Sequence, residues 1–156
     1  MIRSKRDEKA PPLRWFWLLV NFTLFASALM HFANGISAIT GAHHKVDTQQ
    51  LYSLYPAFRT LDIGCGIFLI LLSVFIIYTR YRLAHFRRRA PLLLALTYLS
   101  VCLHDLVYIA AALIILPHPS EAELDLFTFG FGAAVGVTML IIDHVYFKKR
   151  EYMFIN

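Results

Sequence analysis

The stretch LDIGCGIFLILLSVFIIYT, Leu61–Thr79, followed at once by RYRLAHFRRRAP, Arg80–Pro91, decides the fold. The first part holds one carboxylate and no Lys or Arg. A helix of about 20 apolar residues crosses a hydrocarbon core about 30 Å thick. The apolar run is continuous rather than alternating, so it is not a strand of a membrane barrel. A helix remains, because it satisfies every backbone polar group within one segment. The Arg-rich part cannot follow it into lipid, and Pro91 suits the start of the next helix.

Working outward, three more runs have the same character. They cover about 15–40, 92–116 and 126–147, beside the 61–79 span, with Pro117 and Pro119 closing the third. The chain of 156 residues is 58% hydrophobic and 16% charged. A soluble domain carries about a quarter charged residues, so a second, soluble domain is not expected. The expectation is one all-α membrane domain over 1–156, an integral membrane four-helix bundle.

Of fifteen Lys and Arg residues, all but Lys45 and Arg59 fall in three clusters. These are the N-terminal arm from Arg3 to Arg14, the middle segment from Arg80 to Arg89, and Lys148, Lys149 and Arg150. Basic residues flanking apolar spans mark the cytoplasmic side. Both termini and the middle loop are then inside, N-in/C-in, which needs an even number of crossings. The loop from Pro117 to Asp125 carries Glu121, Glu123 and Asp125 without Lys or Arg and falls outside. The clusters read as topology rather than as a nucleic-acid surface. Arg87, Arg88 and Arg89 are expected to meet anionic lipid headgroups. A basic arm, an apolar run and Ala26-Ser27-Ala28 also fit a signal peptide. The apolar character continues through Ile39, so the span is expected to be retained. The outer segment Asp47–Arg59 fits either a short surface helix before Pro56 or an ordinary loop.

Ionisable residues at membrane depth are costly and face the bundle interior. At 100° per residue, Thr97, Ser100, His104 and Tyr108 share about 80° of arc, with Asp105 on the edge. Thr23, Ser27, His31 and Asn34 form a similar stripe on the first span. The first and third spans run parallel, so His31 and His104 fall at similar depth and the stripes would form a polar seam. His31, Asn34, His104, Asp105 and Tyr108 are therefore the candidates for ligand binding or proton coupling. The competing role is interhelical hydrogen bonding. Asp105 and His104 each lie within helical reach of Tyr108. Asp62 shares a face with Gly66, Leu69 and Ser73. Asp143 lies near the inner end, close to water.

Gly132 and Gly136 have the spacing that lets helices approach closely, within the bundle or at a homodimer seam. Second and fourth spans share a Gly-x-Gly near one end, a faint hint of duplication. Cys65 and Cys102 read as small apolar residues. His43, His44 and Asp47 in one loop and His118 in the other match no standard zinc spacing. They read as solvated, and no metal is expected. No nucleophile motif, phosphate loop or zinc-protease motif is present, so an enzyme is not favoured and no cofactor is expected.

Leu54-Tyr55-Pro56-Ala57-Phe58-Arg59-Thr60-Leu61-Asp62-Ile63, then the apolar run, then Tyr81-Arg82-Leu83-Ala84-His85-Phe86-Arg87 and Pro91, resembles small multi-span membrane proteins of clostridial-type bacteria. The resemblance implies a bacterial plasma membrane and brings no activity with it. The functional expectation is a non-enzymatic accessory or interaction subunit. The alternative is a small dimeric transporter or channel with a central His/Asp site. A second alternative is a haem- or quinone-binding redox subunit, with His31 and His104 as axial ligands.

Overall fold

α1 (Arg14–Thr40), α2 (Thr48–Leu54), α3 (Pro56–Ala84), α4 (Ala90–Ile115) and α5 (Leu126–Lys148) follow one another, with a 3-10 turn at Glu151–Met153. This is the architecture of a computed structural model that describes residues 13–116 and 126–154, with side chains from residue 129 in the second stretch. The basic arm before residue 13 and the acidic segment with His118 lie outside the described residues. Among the described residues every regular element is helical. All but α2 are long and apolar enough to cross a membrane.

The second span is longer than its sequence bounds of 61–79. It begins at Pro56, which sits in the first turn of α3. There the missing N–H goes unneeded and the fixed φ is already helical. Residues 56–60 therefore belong to α3 and not to a separate short helix. α2 keeps only Thr48–Leu54. Asp47 is its cap: one carboxylate oxygen accepts from the backbone N–H of Gln49 at 3.0 Å and of Gln50 at 3.4 Å, which satisfies two of the free donors at a helix start.

α1 ends at Gly41, whose φ of 76° is left-handed. The N–H of Gly41 and of Ala42 donate to the carbonyls of Ala38 and Ser37, a closure that glycine permits and that turns the chain sharply back. His43 and His44 are thereby folded over the end of the bundle.

Neighbouring long helices pack in chain order, α1 on α3, α3 on α4 and α4 on α5, with α1–α3 the most extensive pair. The reason is a glycine crossing. A Cβ on Gly35 would lie 2.7 Å from the Gly66 carbonyl oxygen, and one on Gly66 would lie 2.6 Å from that of Gly35. Gly132 and Gly136 do serve packing, against α4: added Cβ atoms would meet Asp105 Oδ2 at 3.2 Å and Cys102 Sγ at 2.8 Å. That face is turned toward α4.

At the Arg-rich end Phe16 stacks on Phe86 at 4.9 Å and meets Phe147 and Phe154 edge-on. Phe86 itself has a φ of 50°, a strained value for a residue with a side chain that its ring contacts hold in place. Asp143 is only 3% exposed, not open to water as its place near the helix end suggested. The Trp15 indole N–H and the Tyr98 hydroxyl each donate to it at 3.1 Å, joining α1, α4 and α5. A π-helical turn at Leu19–Thr23 opens the α1 ladder, and Arg80 Nε donates to the Val20 carbonyl at 2.8 Å. Arg87, Arg88 and Arg89 are exposed. So are many large apolar side chains on the outer faces, Phe22, Met30, Leu71 and Ile114 among them.

Candidate functional site

One end of each polar stripe lines a common space. A cavity of about 440 Å³ lies among α1, α3, α4 and α5, toward the end opposite the Arg-rich loop. His31 and Asn34 line it from α1, His104, Asp105 and Tyr108 from α4, and Gly132 from α5. The five candidates are thus brought together, but not as a packed seam. α3 stands between the stripes on one side and open volume on the other. The size falls within the range of small-molecule sites. The walls are mostly apolar, with Leu69, Val101, Phe129 and Phe131 among them.

His104 Nδ1 lies 3.0 Å from Asp105 Oδ1, although adjacent helical residues diverge by about 100°. With the carboxylate accepting from Nδ1, a neutral ring presents its lone pair at Nε2. That Nε2 is buried without a hydrogen-bond partner, and so is Nδ1 of His31. Buried polar atoms in native proteins are nearly always satisfied. The His104 ring is held parallel to Phe68 at 5.5 Å and to Tyr108 at 6.3 Å, so its orientation is fixed.

Tyr108 does not pair with Asp105 as its spacing suggested. Its hydroxyl donates to Asp62 Oδ1 at 2.8 Å, because that face of α4 packs on α3. Asp62 is fully buried, with Gly66, Leu69 and Ser73 buried on the same face of α3. Tyr52 donates to its Oδ2 at 2.7 Å, and His44 Nε2 lies 2.8 Å from that same oxygen. His43 Nε2 lies 3.7 Å from Oδ1. The two loop histidines do not stand in solvent beside Asp47: the His44 side chain is 1% exposed, and the carboxylate they meet is Asp62. Asp47 is a helix cap.

Burial and the adjoining His44 push the His43 pKa below the usual histidine value, although Asp62 and the Ser37 carbonyl oppose this. Burial and the bond to Asp62 raise that of Tyr52. A second cavity, about 430 Å³, lies between α4 and α5 at the Arg-rich end, with Arg88, His144 and Lys148 on its rim.

Comparison with known protein families, curated proteins and solved structures returns no match. The chemistry of the site itself therefore carries the functional reading.

Proposed function

We propose that the chain is a four-span protein of a bacterial cytoplasmic membrane. Its termini and Arg-rich loop face the cytoplasm, and it takes a small solute into the α1/α3/α4/α5 cavity from the other side. The three basic clusters support that orientation, and the rim of Arg88 and Lys148 suits anionic headgroups. The activity is of the transporter or channel class.

The observation that carries this is the pair of unpartnered buried nitrogens, His31 Nδ1 and His104 Nε2, on one cavity. An acceptor lone pair on His104 calls for a donor in the ligand. Asp105 places a carboxyl group beside it, and the apolar walls call for a hydrocarbon body. An amine or alcohol with an apolar portion fits all three. The test is thermal stabilisation of the purified chain across a panel of such amines and alcohols. A ligand at 100 times its Kd stabilises by about 2.7 kcal/mol. His31→Ala and His104→Ala proteins that melt normally should lose the response. A panel without effect, or a response unchanged in both variants, refutes the reading. A Soret band in the purified protein would replace it with haem between His31 and His104.

A second reading, an accessory subunit of a larger assembly, is favoured by α5. Its apolar window is 11% buried, against 22% to 33% in the other three long helices. Cross-linking in native membranes tests it; recovery of the chain alone argues against a partner.

A further inference from the structure

We propose that His43, His44 and Asp62 form a binding site for a divalent transition metal, with Zn²⁺ the ion the ligand set fits best. The inference goes beyond the solute site and does not depend on what fills the larger cavity.

One ring nitrogen each of His43 and His44 and a carboxylate oxygen of Asp62 lie within 4.8 Å of one another. Two imidazoles and one carboxylate are a recurring three-ligand set for zinc that leaves the fourth position open. With metal–ligand bonds of about 2.0–2.1 Å, tetrahedral donors stand about 3.3 Å apart. His44 Nε2 is 2.8 Å from Asp62 Oδ2 and His43 Nε2 is 3.7 Å from Oδ1. These two separations bracket the required value, and the His43 and His44 nitrogens lie within 4.8 Å of each other, so shifts of up to about 1.5 Å complete the site.

Hydrogen bonding around the cluster leaves electron pairs where an ion needs them. His43 Nδ1 lies 3.3 Å from the Ser37 carbonyl oxygen, which only accepts. The proton is then on Nδ1 and the lone pair on Nε2. A ring nitrogen donating to a backbone carbonyl is the usual outer support of a metal-bound histidine. The Tyr108 hydroxyl is 3.2 Å from that Nε2, but its one proton points to Asp62 at 2.8 Å. Each Asp62 oxygen has two acceptor positions. Tyr108 occupies one on Oδ1 and Tyr52 one on Oδ2, and one on each is left. His44 Nε2 donates to Oδ2 while no ion is bound; when a metal takes that position, the ring carries its proton on Nδ1 and offers the Nε2 lone pair. His44 is 1% exposed and His43 27% exposed at the side chain. The half-open ring of His43 provides the way in. Both histidines also line the large cavity, so the open coordination position lies beside it.

The test uses the full chain purified in detergent, stripped with chelator and titrated with Zn²⁺ by calorimetry. Co²⁺ then replaces Zn²⁺ for a visible spectrum. One equivalent should bind, and Co²⁺ should give the intense d–d bands of a four-coordinate site. His44→Ala and Asp62→Asn should weaken Zn²⁺ binding about 100-fold or more, since even supporting residues change affinity about 10–100-fold. Asp47→Asn and His31→Ala should leave it unchanged. Asp62 is fully buried, so His43→Ala, at the half-open edge, carries the test if Asp62→Asn does not fold; it too should weaken binding at least about 10-fold. Absence of stoichiometric binding overturns the proposal, as does binding that survives both histidine substitutions.

Discussion

Replacing Gly66 by Ala tests the crossing on which the whole arrangement of α1 against α3 depends. The new Cβ would lie 2.6 Å from the Gly35 carbonyl oxygen, 2.7 Å from Ile39 Cγ1 and 3.1 Å from the Ile39 nitrogen. Ordinary contact begins at 3.4 Å. Two of these three atoms are backbone, so a rotamer change cannot relieve the overlap and the helices must part. Overpacking of this kind costs about 1–3 kcal/mol. A crossing with backbone on both sides belongs near the upper end. The intrinsic gain of Ala over Gly in a helix offsets about 1 kcal/mol. The net loss is about 2 kcal/mol, which at about 2–4 °C per kcal/mol for a chain of this size lowers Tm by about 4–8 °C. Gly64→Ala is the internal control. It lies two residues away on the same helix with nothing within 4 Å of its added Cβ, so it gains propensity without a clash. Thermal melts followed by tryptophan fluorescence in one detergent compare the two. If Gly66→Ala melts at or above Gly64→Ala, the close crossing is wrong.

Three further outcomes are expected. Tyr98→Phe removes one of the two donors to Asp143 and should cost about 1–2 kcal/mol in the same melts; no change would mean that Asp143 is not held as described. Tyr52 has its pKa raised by burial and by Asp62, so the unfolded chain loses that proton first. The stabilisation from the Tyr52 bond is then fully present below about pH 10, the ordinary tyrosine value, and is lost as pH rises beyond it. The Tm difference between the native chain and Tyr52→Phe should shrink above that pH, and a gap that widens there contradicts the assignment. Alanine at Arg87, Arg88 and Arg89 should weaken binding of anionic over zwitterionic lipid, by about 1 kcal/mol for each charge at the surface. Equal preference before and after refutes the headgroup role.

The spans were legible because continuous apolar runs and Pro91 leave few choices; the start of α3 at Pro56 was not, because proline there both ends α2 and begins α3. The polar stripes were legible for a similar reason, since helical periodicity places His31 with Asn34 and His104 with Tyr108. Periodicity says which face is polar but not whether a neighbour fills it. The open cavity could therefore not be read. The Asp62 cluster was further out of reach. Its face on α3 was visible from Gly66, Leu69 and Ser73, but His43 and His44 reach it only through the left-handed turn at Gly41. The Gly35–Gly66 pair was hidden because its two glycines lie on different helices, and Gly35 is the lone glycine of α1. Gly132 and Gly136 carry a spacing that can be seen within one.

The most direct test of the account is the reach of water into the cavity. In a chain with Cys65→Ser and Cys102→Ser, place single cysteines at His31→Cys and Arg88→Cys. Treat intact cells and inverted vesicles with a membrane-impermeant maleimide. His31 lies well inside α1 and lines the cavity, whereas Arg88 is exposed in the loop at the other end. The account predicts labelling of His31→Cys from the outer side only and of Arg88→Cys from the cytoplasmic side only. Labelling of both from one side, or none at His31→Cys from either, would contradict it.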